Sequence, residues 1–239
     1  MIPRRPPPRD LGELRLRAEA LAGRTIGELA AHLGVALIPG QERRHKGLQG
    51  HLVEAALGGG DGGRGGPDFP HLGVELKTIP VDGRGRVRES TFVCAARLGE
   101  LAGESFADSR LRQKLACVLF LPVEAPPRPL AERRLGRPCL FRLGSDEEAI
   151  LAADFALLTA AVGRGEIAAV DGHLGEALQL RPKGPSGAAR TLAATGGDGE
   201  VGWTMPRGFY LRARFTQRLL DRLARSGSPW KIETPVRSC

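Results

Sequence analysis

The 239 residues predict an α/β domain, of the α+β kind with a mixed sheet, and three observations carry that reading. Helical apolar spacing recurs in three segments between Leu11 and Leu57, alternating or continuously apolar strand patterns follow between residues 72 and 123, and a long helical segment at 146–163 leads into mixed elements. Composition agrees with a packed core, since 41% of residues are hydrophobic and 26% charged, and the 33 Gly and 18 Pro stay below the level of a disordered chain.

Taken in order, the proline- and arginine-rich residues 1–10 predict a flexible arm. Leu11, Leu14, Leu16, Ala20 and Leu21 mark a first helix, and Thr25-Ile26-Gly27-Glu28 is a capping box opening a second. Leu48, Leu52, Val53, Ala56 and Leu57 mark a third, which must end where Gly58-Gly59-Gly60 begins and so carries Glu54 near its end. The run Gly58–Gly66 contains a literal GxGxxG, but it follows a helix and leads into Pro67 and a strand, so a dinucleotide site is rejected. Leu72–Ile79 alternates as a strand, turns through Pro80–Gly85, and is followed by a second strand, Ser90–Ala96, in a hairpin-like arrangement. Ala116–Val123 is apolar almost throughout, as a strand buried on both faces should be. The helix at 146–163 opens on Asp146-Glu147-Glu148, suited to the helix dipole; Glu176–Leu180 alternates again; and Phe215–Leu223 is a basic amphipathic helix. These boundaries give an arm at 1–10, one two-lobed domain at 11–225 and a polar tail at 226–239.

The chain holds 35 basic and 27 acidic residues, a net charge of +8, which favours a polyanionic partner with nucleic acid first among them. No apolar run is long enough for a membrane span or a signal peptide, so a cytoplasmic protein without a membrane partner is expected. Cys94, Cys117, Cys139 and Cys239 never form a CxxC pair, and His32, His45, His51, His71 and His173 show no ligand spacing. Neither a zinc site nor a catalytic histidine is expected, and three of the thiols read as core or strand residues.

Pro67-Asp68, six residues, then Glu75-Leu76-Lys77 matches the PD-(D/E)xK nuclease pattern. On a strand Glu75 and Lys77 project to one face while Leu76 points to the other, and Asp68, from the preceding turn, can close on the same point. Two converging carboxylates suit a hard cation that keeps waters, Mg²⁺ above zinc. Lys77 would then position the attacking water or stabilise charge on phosphorus, and Glu54 could hold the metal or a bound water. Chance matches to this spacing number roughly 0.02 for this composition. The bland alternative is an amphipathic strand with a surface salt bridge.

The flanking text resembles the MutH family of DNA mismatch-repair endonucleases. The resemblance rests on Arg44-His45-Lys46-Gly47, Leu72–Asp82 (LGVELKTIPVD), Thr91-Phe92-Val93-Cys94, Leu180-Arg181-Pro182-Lys183 and Pro206–Leu211 (PRGFYL), in family order. It implies a restriction-endonuclease-like fold of two lobes around a DNA-binding cleft, and Mg²⁺-dependent nicking of the unmethylated strand at hemimethylated GATC sites in methyl-directed repair. By the same resemblance Asp68, Glu75 and Lys77 match the catalytic triplet, with Glu54 and Lys114 at further positions of that site. Asp68, Glu75 and Glu54 would be the metal ligands. Lys46, Phe92, Arg181, Pro182, Lys183, Arg207, Tyr210, Arg212 and Arg214 fall in DNA-facing blocks, with Tyr210 near the adenine whose methylation is sensed. MutL as activator and MutS indirectly are the implied protein partners, and a monomer with one site should cut one strand.

Residue chemistry agrees, since Arg and Lys pair with guanine edges or phosphates and a tyrosine ring can report on an adenine amino group. Residue type alone leaves other readings open. Phe92 could equally be core, Lys114 could snorkel, and the basic helix with Arg214, Arg218, Arg222 and Arg225 could be a solvated face or a surface for DNA or MutL. A restriction enzyme cutting both strands of GATC and an inactive DNA-binding scaffold are the alternative functions.

Overall fold

A computed structural model describes residues 2–37, 47–60, 65–101, 103–170, 172–183, 190–194 and 201–225. Lys46, the outer part of the glycine-rich run and the expected tail at 226–239 lie outside the described residues.

Helix α1 (Leu11–Glu19) starts on Asp10, whose side chain accepts from the Glu13 N–H. Helix α2 (Ile26–His32) carries the full capping box between Thr25 and Glu28. Helix α3 (Leu48–Leu57) stops at Gly58, whose φ of +82° places the chain in the left-handed region. Strands β1 (Glu75–Val81) and β2 (Thr91–Ala96), helix α4 (Arg110–Leu115), strands β3 (Cys117–Glu124) and β4 (Cys139–Arg142), helix α5 (Ser145–Gly163), strands β5 (Leu178–Pro182), β6 (Thr191–Ala194), β7 (Val201–Thr204) and β8 (Arg207–Leu211), and helix α6 (Ala213–Arg225) complete the order.

The mixed sheet is β1-β3-β4, parallel between β1 and β3 (Glu75 opposite Val118) and antiparallel between β3 and β4. A second, antiparallel sheet has the order β2-β8-β5, and β6 and β7 pair alone. The expected β1–β2 hairpin does not form. β1 meets the segment before β2 through a bridge between Val81 and Val87 and the Arg88 N–H to Pro80 O bond, but the strands themselves do not pair, because β1 spends its ladder on β3 while β2 joins the other sheet. Pro80 is tolerated within β1 rather than in a turn because β1 is an edge strand.

Two apolar cores flank the mixed sheet. Leu119, Leu121 and Val123 of β3, with Leu76 of β1, pack with α1, α2 and α3. Val118 and Phe120, with Ile79, pack with α4, α5, α6 and the inner face of the second sheet. Leu119, Leu121, Val118 and Phe120 have no exposed surface. This is the two-sided burial expected of an unbroken apolar run, at about 1.5–3 kcal/mol per large side chain. Leu16, one of the apolar residues that mark α1 in the sequence, is 69% exposed. Cys94, Cys117 and Cys139 are buried free thiols, and burial pushes the Cys94 thiol up to about 11.

Residues expected as a loose arm lie against the helical layer. The Arg5 N–H donates to Ala55 O at 3.1 Å, and Arg17 Nη1 donates to Pro6 O at 2.6 Å, contacts a detached arm would not make. Among the described residues no helix is long and apolar enough to cross a membrane.

Candidate active site

Strand alternation puts Glu75, Lys77 and Ile79 on one face of β1 and Leu76 on the other, where it enters the helical core. Lys77 Nζ donates to Glu75 Oε1 at 2.6 Å and to the Val93 carbonyl of β2 at 3.4 Å. Lys114, from α4, turns inward instead of snorkelling, and its Nζ donates to Glu75 Oε2 at 2.7 Å and to Gly66 O at 3.0 Å. The Glu75 side chain is only 2% exposed, so the bland reading of a surface salt bridge on β1 does not hold.

Asp68 sits at the turn before β1, and its Oδ2 accepts from the Leu76 N–H at 2.8 Å. Burial and then the Glu75 charge raise the Asp68 pKa above the ordinary carboxylate value, opposed by the Leu76 N–H, Lys77 and Lys114. Glu54, on the last turn of α3, is raised chiefly by burial and then by Asp68, and Arg4 opposes the rise across 3.7 Å. Three carboxylates therefore feel one another's charge.

Among the described residues no group of three or more His, Cys, Asp or Glu side chains is drawn together into a ready-made metal cage. The donor chemistry nevertheless fits a hard dication. Asp68 and Glu75 offer only oxygen, their mutual repulsion is what a dication relieves, and Mg²⁺ ordinarily takes one or two protein carboxylates with waters filling its remaining positions. Each Glu75 oxygen already accepts from one ammonium and has a further lone pair.

A second cluster lies on the outer face of the antiparallel sheet. Phe92, Tyr210 and Gln179 face one another across β2, β8 and β5. The Phe92 and Tyr210 rings meet edge to face with centroids 5.3 Å apart. Lys183 Nζ stands 2.9 Å from the Phe92 centroid, and the Arg181 guanidinium 5.5 Å from that of Tyr210. Phe92 is thus absent from either core, and its ring clears β8 because residue 208 is glycine, where a Cβ would fall 2.8 Å from Phe92 Cε2. Arg181, Pro182 and Lys183 are exposed beside this cluster.

The remaining expected DNA contacts are placed elsewhere. Arg207 points inward, 9% exposed, and donates to Ile167 O and Val170 O at 2.8 Å and to Leu180 O at 3.4 Å. Its expected DNA contact is corrected: Tyr210 faces outward on β8, so alternation turns Arg207, Phe209 and Leu211 to the core. Arg212 Nη2 donates to Leu174 O at 2.9 Å, and Arg214 reaches Glu176 O at 3.3 Å; both tie down the loop before β5. On α6, Arg218 pairs with Glu176 and Arg222 with Glu147, in keeping with a helix face bound to the body. The residues missed from sequence are Arg4 beside Glu54 and Gly66, whose carbonyl holds Lys114. Neither carries a local signal, since both contacts join distant parts of the chain.

The family model described as DNA mismatch repair enzyme MutH matches residues 59–154, the stretch holding Asp68, Glu75, Lys77, Phe92 and Lys114. Relatives named DNA mismatch repair protein MutH align over nearly the whole chain. The one from Serratia proteamaculans is 44% identical over 93% of this chain and 97% of its own. That from Klebsiella pneumoniae (strain 342) is 45% identical over 90% and 93%, and that from Shewanella sp. (strain ANA-3) 40% identical over 91% and 97%.

Proposed function

The chain belongs to the MutH family of DNA mismatch repair enzymes, and from that premise we propose that it nicks the unmethylated strand of hemimethylated GATC sites by Mg²⁺-dependent phosphodiester hydrolysis. The observation that carries the proposal is the buried Glu75, held at 2.6 Å and 2.7 Å by Lys77 and Lys114 and close enough to Asp68 to raise its pKa. Two carboxylates and two ammonium groups thus gather at one end of β1, from the strand, the turn before it and α4, beside a basic aromatic surface.

In this reading Asp68 and Glu75 hold the metal, with Glu54 orienting it or a bound water. When bound, Mg²⁺ supplies a water of lowered pKa and neutralises charge on the phosphate. Lys77 holds the attacking water by its ammonium or donates to the phosphoryl oxygens as charge builds on them. Lys114 keeps the Glu75 carboxylate oriented through Oε2 and anchors Gly66. Phe92, Tyr210, Arg181, Pro182 and Lys183 meet the DNA, with Lys46 as a further contact, and Tyr210 stands where an adenine amino group would be read for methylation. One site per chain cuts one strand, as a monomer; MutL, loaded through MutS, is the proposed activator.

The test is strand-resolved cleavage of a duplex carrying one GATC in unmethylated, hemimethylated and fully methylated forms, comparing the wild type with Glu75→Ala in Mg²⁺. Nicking confined to the unmethylated strand and lost in the variant is the expected result. Cutting of both strands in one binding event would instead mark a restriction enzyme, and binding without cleavage, even with MutL present, a DNA-binding scaffold.

A further inference from the structure

The N-terminal segment runs along α3 and ends at the acidic cluster. Its backbone is tied by the Arg5 N–H to Ala55 O at 3.1 Å. Arg17 Nη1 bridges Pro6 O at 2.6 Å and Leu57 O at 2.9 Å, and the His71 ring lies 2.6 Å from Pro8 O. It crosses the start of the glycine-rich run, where Gly58 faces its backbone and Gly60 faces the movable end of the Arg4 side chain. A Cβ at Gly58 would lie 2.2 Å from Pro6 O, and one at Gly60 would lie 2.3 Å from Arg4 Nη1. Between them Gly59 packs on Glu54 itself, where a Cβ would come within 2.9 Å of Glu54 Cγ.

The segment delivers the Arg4 guanidinium, 49% exposed, to within 3.7 Å of Glu54 Oε1. We propose that Arg4 is a positioning residue of the nuclease site, holding the Glu54 carboxylate beside Asp68 by an ion pair that residues 2–9 carry in, with Gly58, Gly59 and Gly60 as their seat. The proposal rests on the endonuclease reading above. A carboxylate set among other carboxylates is pushed outward by them, and a cation on its outer side offsets that push. An ion pair this exposed is modest, so its loss should cost about two- to fivefold in rate.

The experiment measures single-turnover nicking of a hemimethylated GATC duplex and, without metal, the affinity for the same duplex, for Arg4→Ala, Arg4→Lys, Glu54→Gln and the Arg4→Ala/Glu54→Gln double variant. Expected are a two- to fivefold slower rate for Arg4→Ala, recovery in Arg4→Lys, duplex affinity within twofold of wild type, and no further loss when Arg4→Ala is added to Glu54→Gln. Additive losses overturn the proposal, as does an affinity loss as large as the rate loss, which would make Arg4 a direct DNA contact. An unchanged rate for Arg4→Ala beside a wild type that nicks overturns it alone, whereas a wild type that does not nick overturns the endonuclease reading and the proposal with it.

Discussion

Replacing Lys114 by methionine removes one of the two cations on Glu75 while keeping most of the side-chain volume. The Lys114 and Glu75 side chains are 9% and 2% exposed with the charged atoms 2.7 Å apart, so little water can take over the vacated place. At an effective dielectric constant of about 20 the gross attraction is about 6 kcal/mol. Part of this is returned because an ammonium no longer has to be desolvated, and losses measured when one partner leaves a buried pair are about 3–5 kcal/mol. For a chain of this size that corresponds to a drop in Tm of about 6–20 °C. Lys77→Met should cost less than half as much, since the Lys77 side chain is 15% exposed and Glu75 would keep the more buried of its two partners. Thermal unfolding followed by circular dichroism at neutral pH reads both. A loss below about 2 °C for Lys114→Met, or equal losses for the two variants, would refute the view that Glu75 depends on this buried pairing.

Arg207→Lys cannot reach three carbonyls with a planar fork, and should lower stability by about 2–3 kcal/mol, while Arg181→Ala leaves Tm unchanged and weakens duplex binding; melting curves and fluorescence anisotropy on the same two variants separate the roles. In Gly208→Ala the new methyl would stand 2.8 Å from Phe92 Cε2 and 3.1 Å from Cys94 O, so about 1–3 kcal/mol of stability and some duplex affinity should go together, and a variant unchanged in both would show that the ring is not seated by this glycine. Glu13, bonded by the Arg9 N–H and paired with Arg17 and Arg9, has its pKa lowered from 4.5 to about 2. Its contribution is fully present above pH 4.5 and is lost as pH falls through the folded value of about 2, so the Tm advantage of wild type over Glu13→Gln should shrink across that window and vanish only below it.

What the sequence made legible depended on how local each signal was. The capping box at Thr25 and Glu28, the stop at Gly58 and the two-faced burial of β3 are written in neighbouring residues, and all three appear where expected. Glu75 and Lys77 share a face because strands alternate, and the same rule, applied to the text around Tyr210, already turns Arg207 inward. Strand pairing was not legible in this way. Proximity along the chain suggests a β1–β2 hairpin, but Thr91 and Cys94 stand opposite Leu211 and Phe209 of β8 and the Thr91 hydroxyl meets that of Thr216 on α6, far away in sequence. The contacts of the N-terminal segment are illegible for a related reason: Pro6, Pro7 and Pro8 carry no helical or strand period, while the bonds that hold it come from Arg17, Ala55 and His71.

Among the described residues the two sheets share no ladder, so the distance between the proposed chemistry and the proposed DNA surface is set by the core between them and by the polar contacts that cross it. Lys77 makes one such contact. Its ammonium binds Glu75 on its own strand and the Val93 carbonyl on β2, at the register shift between Phe92 and Cys94. A bulge bends the strand that carries it and re-aims the groups beside it, and here Thr91, Val93 and Cys94 stay buried while Phe92 turns out towards Tyr210. The same ammonium lies 6.0 Å from the Phe92 centroid, with Lys183 nearer that ring. A regular β2 would have to choose between burying consecutive residues and presenting Phe92; the irregular residue lets one strand do both, and sets the ring proposed to face DNA 6.0 Å from the lysine proposed to act on the phosphate.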